Sequence, residues 1–164
     1  MKVLFALTYY RPHISGLTIY VERLARALAS RGHEVTVLTS HYEKSLVYRE
    51  HMDGVRVVRV PVLARGNQGR LMPPFPLEAF RLIRESQVLS VHLPQFESAL
   101  LAWLGWLLGR PVVLTYHCDI QVPPGPFRSV LEGLVGVMHH LAGHGADCIV
   151  TYTQDYAQHS PFLS

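Results

Sequence analysis

Hydrophobic positions along the chain fall into short blocks, and the blocks alternate between two periods. Residues 3–7 form an unbroken apolar run, as a strand buried on both faces requires. From Leu17 the spacing changes. Leu17, Tyr20, Val21, Leu24, Ala25 and Leu28 recur at helical intervals, with Glu22, Arg23 and Arg26 on the other face. Ser15 is placed to cap this helix and Gly32 to end it. Residues 34–39 read as a second strand. Asp53-Gly54 is a turn signal, and residues 55–60 read as a third strand. Residues 61–76, rich in Gly, Pro and Arg, read as a long loop before a short helix over 77–85. The pattern then predicts strand 88–92, helix 96–108, strand 111–116, loop 121–126, helix 127–142, strand 148–152 and a last helical turn at 154–160.

Alternating β and α units of this size imply an α/β fold. Right-handed crossovers make it a Rossmann-like, doubly wound, mostly parallel sheet with helices on both faces. The 164 residues fit one domain, and a chain that is 49% hydrophobic and 16% charged can bury a core. In such sheets ligands bind beyond the carboxyl ends of the strands. That singles out residues 8–16, Ser40 and His41, 92–94, 117–119 and 151–155.

Charge changes the picture little. A net +3 with a pI near 9.0 suits anionic ligands or an anionic membrane surface. No nucleic-acid recognition motif is present, and nucleic acid is not an expected partner. Cys118 and Cys148 have no zinc-finger spacing and would lie at opposite ends of their strands, which argues against a disulfide. No secretory leader pattern opens the sequence, and the longest apolar stretch, 99–108, is too short to span a bilayer. The expected location is the cytoplasm, with peripheral membrane contact through Arg65, Arg70, Arg81, Arg84, Leu71, Phe75 and Phe80 as one use of a basic, apolar region. An ordinary surface loop and helix describe those residues equally.

Candidate chemistry gathers at the strand ends. Ser15 and Gly16 stand at a helix N-terminus, where free N–H groups and the helix dipole favour phosphate. A capped helix after a loop accounts for the same two residues. His117 and Asp119, in "TYHCDI", combine an imidazole that can exchange a proton near neutral pH with a carboxylate that can orient it. His13, His92 and Thr153 are further candidates to line the crevice. His140 and His144 are four apart but lack the H-E-x-x-H arrangement, so a solvated helix face is expected there and no metal site. The G-x-G-x-x-G fingerprint and the Walker pattern are both absent.

Three segments together resemble the N-terminal domain of the family 4, GT-B, retaining glycosyltransferases. They are "YYRPHISGLTIYVERLARALASRGHEVTVLTS", "RPVVLTYHCDI" and "GADCIVTYTQDYAQHSPFL". The resemblance runs through nearly the whole chain. It implies an enzyme that moves a sugar from a nucleotide-sugar donor to an acceptor hydroxyl, on a sugar or a lipid-linked carrier, without a metal or other cofactor. Ser15 and Gly16 match the family's paired glycines at the donor diphosphate, with serine replacing the first. His117 matches its strand-end histidine near the donor sugar and the attacking hydroxyl, and Asp119 the acid that follows in one subgroup. Ser90 and His92 stand where the family often carries histidines. The resemblance also implies that residues 1–164 are the acceptor-binding domain. The nucleotide-sugar domain would lie outside this chain, which alone would be inactive. A non-catalytic interaction module of the same fold, pairing with a partner chain, is the alternative. A nucleotide-sugar epimerase type of enzyme is a more distant one.

Overall fold

A computed structural model describes residues 1–65, 70–118 and 128–160. Strands β1 (Lys2–Ala6), β2 (Glu34–His41), β3 (Arg49–Met52) and β4 (Val55–Pro61) and helix α1 (Gly16–Ser30) form the first half. A short β5 (Ala64–Arg65) pairs with β6 (Arg70–Leu71). Helix α2 (Phe75–Glu85), β7 (Val88–Leu93), α3 (Ser98–Leu107), β8 (Val112–Tyr116), α4 (Arg128–His144), β9 (Cys148–Val150) and α5 (Gln154–His159) complete it. The main sheet has seven strands in the order β3-β4-β2-β1-β7-β8-β9, and every neighbouring pair is parallel except β3 with β4. Counting the parallel strands alone gives the order 3-2-1-4-5-6, the doubly wound arrangement. The strand order reverses between β1 and β7, and the crevice outside their carboxyl ends is where the fold places a ligand.

Strand alternation divides the core between the two faces. Val3, Phe5 and Leu7 pack with Val21 and Ala25 of α1, while Leu4 and Ala6 pack with Ala79, Leu82 and Ile83 of α2 and Leu101 of α3. Helix α1 ends as its sequence indicates. Gly32 has a φ of +81°, its N–H donates to the Ala29 carbonyl, and the His33 N–H donates to the Leu28 carbonyl.

Four expectations are corrected. The 61–76 loop contains the β5–β6 pair, and α2 starts two residues earlier than predicted. An unforeseen strand, β3, pairs antiparallel with β4 through the Asp53-Gly54 turn, both residues of which have positive φ. Its sequence, REHM, is half exposed on an edge and carries no apolar run to announce it. The strand predicted at 148–152 is shorter, which frees Tyr152 from the sheet. The expected loop at 121–126 lies outside the described residues. Neither Cys118 nor Cys148 is in a disulfide. No helix among the described residues is long and apolar enough to cross a membrane.

Candidate active site

The first loop is built as an anchored arch. At its start the Thr8 carbonyl accepts from the Thr39 hydroxyl at 3.1 Å and from the Ser40 hydroxyl at 2.6 Å. In its middle the Arg11 carbonyl accepts from the buried Arg59 guanidinium at 2.8 Å. At its end Ser15 is the N-cap of α1. Its extended backbone (φ −151°) suits any residue, and its Oγ accepts from the Thr18 N–H at 3.2 Å. Serine in place of a glycine therefore needs no left-handed backbone. An added Cβ on Gly16 would meet no atom within 4 Å, so that position opens onto free space. His13 lies outward in the arch. Its N–H donates to the Tyr42 hydroxyl at 2.8 Å, and its ring stands 4.8 Å from that of Tyr9.

The second half of the site comes from the alternation of β7 and β8. Leu89, Val91 and Leu93 of β7, with Val112, Leu114 and Tyr116 of β8, join the core under α2 and α3. Ser90, His92 and His117 occupy the intervening positions and so project to the α1 face. His92, expected as the last residue of the strand and a candidate to line the crevice, is its penultimate residue and is fully buried. Its Nδ1 lies 2.9 Å from Nε2 of His117, and its Nε2 lies 3.1 Å from Oγ of Ser90. Nδ1 of His117 meets the hydroxyl of Tyr152, just beyond β9. Tyr20 of α1 completes the cluster, its ring 5.0 Å from that of His117 and 5.9 Å from that of Tyr152. Four side chains from three neighbouring strand ends thus form one hydrogen-bonded file, Ser90–His92–His117–Tyr152.

Burial keeps both imidazoles neutral. Desolvation, together with the charge on His117, pushes the His92 pKa down from 6.5 to about 3. Desolvation pushes that of His117 to about 4. A neutral imidazole has one N–H donor and one acceptor nitrogen, so the file can run in two directions. Either His92 donates to His117, which donates to Tyr152, or every donor reverses. The two arrangements differ only in proton positions, and His117 presents a donor in one and an acceptor in the other. The second is what a base for a substrate hydroxyl needs.

An open cleft of about 520 Å3 joins the two halves, lined by Gly16, Ile19, Tyr20, Arg23, Leu24 and Tyr152. Of the sequence candidates, Gly16 lines this cleft directly and Ser15 caps the helix that begins there, while His117 stands behind Tyr152 and His92 is buried behind His117. Thr153 is exposed beside Tyr152, and its carbonyl accepts from the Ala157 N–H at 3.1 Å. Asp119 lies outside the described residues. The sequence reading missed Tyr20, and although it singled out residues 151–155 at the crevice it did not join Tyr152 to His117. The helical position of Tyr20 reads as ordinary core, and a tyrosine just after a strand has no distinctive spacing. His140 and His144 are exposed, and the His144 Nδ1–H donates to the His140 carbonyl at 2.8 Å. Among the described residues no group of three potential ligands could hold a metal ion.

A doubly wound sheet with a helix N-terminus and a buried imidazole file at its carboxyl edge has the fold of a GT-B glycosyltransferase N-terminal domain. The family model for the Glycosyl transferase 4-like domain matches residues 15–162, and the chain belongs to that family. Three solved structures share the fold. HepE of Anabaena, solved in complex with UDP, is 17% identical with a TM-score of 0.61, over 96% of this chain and 39% of that one. Sucrose-phosphate synthase of Thermosynechococcus elongatus is 18% identical with a TM-score of 0.56, over 96% of this chain and 44% of that one. MurG of Acinetobacter baumannii is 14% identical with a TM-score of 0.54, over 94% and 41%. The chain thus spans less than half the length of these solved proteins. No curated protein is significantly similar to it.

Proposed function

We propose that this chain is the acceptor-side domain of a retaining glycosyltransferase that transfers a hexosyl group from a nucleotide-sugar to an acceptor hydroxyl. The observation that carries this reading is the neutral His117, held at the end of a buried file beside the open N-terminus of α1. In this reading His117 accepts or holds the proton of the attacking hydroxyl. The main-chain N–H groups at Ser15 and Gly16, with the positive end of α1, meet the charge that grows on the departing diphosphate, in place of a metal. That one neighbour was solved with UDP supports a nucleotide-sugar donor. Asp119 is proposed to orient the acceptor or His117. His13, on the outer side of the arch, and Thr153, beside Tyr152, are proposed acceptor contacts. A sugar or lipid-linked acceptor is proposed, with exposed Leu71 and Leu77 supporting peripheral contact with a membrane.

Most of the donor is proposed to bind a second Rossmann-like domain. Two measurements test the reading. The chain alone, offered a panel of nucleotide-sugars, is expected to release no nucleoside diphosphate, and robust turnover would overturn the division of labour. Gly16→Val is the second. Free space around Gly16 means the variant folds with a change of at most ~0.5 kcal/mol, the helix-propensity difference. In the two-domain enzyme it is expected to raise the donor KM on the order of tenfold, because the branched side chain stands where the diphosphate approaches. Unchanged donor KM and kcat would return the loop to being a connector.

A further inference from the structure

We propose that Tyr152 is the positioning residue of His117: without substrate, its hydroxyl occupies the hydrogen-bonding position at Nδ1 that a substrate hydroxyl takes when Tyr152 swings away. The second part of this statement rests on the glycosyltransferase reading above; the first does not.

Both ring nitrogens of His117 are engaged, Nε2 by His92 inside the domain and Nδ1 by Tyr152 on the cleft side. The inner partner cannot move. His92 is fully buried in β7, its ring 5.5 Å from that of Phe5. The outer partner can. Tyr152 is 55% exposed, lies between β9 and α5, and lines the cleft that begins at Gly16. Its ring meets Tyr20 and His117 edge to face, contacts that a rotation can exchange for water or ligand. A substrate in the cleft can hydrogen-bond to His117 only where the Tyr152 hydroxyl now sits, since Nε2 faces inward. A tyrosine also has the right chemistry for this place, because its hydroxyl donates to Nδ1 or accepts from it, as a sugar hydroxyl does. Either direction of the proton file is therefore available with Tyr152 in place, and His117 stays preset while the cleft is empty.

The test reads access to His117 directly. The chain is treated at pH 7 with diethyl pyrocarbonate, which modifies neutral imidazole, and each histidine is followed by peptide mass spectrometry. His51, exposed on β3, is the internal reference. In the wild type, His117 is expected to react at least tenfold more slowly than His51. Tyr152→Phe is expected to raise the His117 rate severalfold and Tyr152→Ala more, with the His51 rate and the melting temperature unchanged. Equal His117 rates in all three proteins would overturn the proposal, as would a wild-type His117 as reactive as His51. A rise in Tyr152→Ala alone would show that the ring and not the hydroxyl blocks Nδ1, and would overturn the hydrogen-bond assignment. The wild-type comparison needs no variant to fold. Because no turnover is measured, the result stands or falls separately from the glycosyltransferase reading.

Discussion

Acidification is expected to destabilise this domain well before its carboxylates are protonated. The folded-state pKa values of His92 and His117, about 3 and about 4, both lie below the ordinary 6.5. As pH falls through about 6.5 the unfolded chain binds protons that the folded chain refuses. Stability is therefore full above about pH 7 and declines until the folded-state values are reached. Linkage gives on the order of 1–2 kcal/mol per histidine by pH 5, an upper bound for two rings that share a hydrogen bond. Burial raises the pKa of Glu97, which acts in the opposite sense. A raised carboxyl pKa adds stability as pH falls through it, so the histidine limb is read best between pH 7 and 5.5. Urea midpoints across that range are expected to fall steadily. His92→Gln, which keeps a polar group between Ser90 and His117 but cannot titrate, is expected to remove about half of the slope. A midpoint independent of pH in the wild type, or an equal slope in the variant, would remove the two buried imidazoles as the cause.

The same two histidines show how far the sequence could be read. The order of strands and helices was legible because each rests on a local signal. The helical spacing from Leu17, the cap at Ser15 and the glycine at 32 are all recorded in a few consecutive residues. His117 was legible too, as a polar residue immediately after an apolar strand. The file that gives it meaning was not. Ser90, His92, His117 and Tyr152 are brought together by the register of β7 with β8 and of β8 with β9, across 25 and 35 residues of chain. Ser90 and His92 share one face of β7, but no spacing rule connects that pair to His117 or Tyr152. His92 read as the last residue of its strand, open to the crevice, whereas it is the penultimate one, fully buried and hydrogen-bonded to Ser90. Edge strand β3 was missed for the complementary reason, since its half-buried face carries only Glu50 and Met52 and leaves no alternating apolar pattern.

Arg59→Met is expected to cost about 3 kcal/mol and to loosen the loop that carries Ser15 and Gly16. An arginine in the middle of β4 looks like a solvated position, yet its side chain is fully buried. It forms an ion pair with Glu50 of β3, donates to the Val47 carbonyl at 2.9 Å and donates to the Arg11 carbonyl at 2.8 Å. One guanidinium thereby ties the first loop to the β2–β3 connection. Removing one partner of a buried pair costs roughly 3–5 kcal/mol, because the other is left uncompensated. Glu50 is 28% exposed and can recover some hydration, which places the expected cost at the lower end. Methionine fills much of the volume, so the loss reports the charge and its hydrogen bonds and not a cavity. The arch keeps its other anchors at Thr8 and Ser15, so it should loosen around Arg11 without dissolving. Hydrogen exchange is then expected to quicken at the main-chain N–H of His13, which donates to the Tyr10 carbonyl and the Tyr42 hydroxyl. Exchange at the α1 interior should follow only the global loss of stability. A urea-derived loss below 1 kcal/mol, or uniform quickening with no excess at His13, would show that Arg59 does not brace the loop.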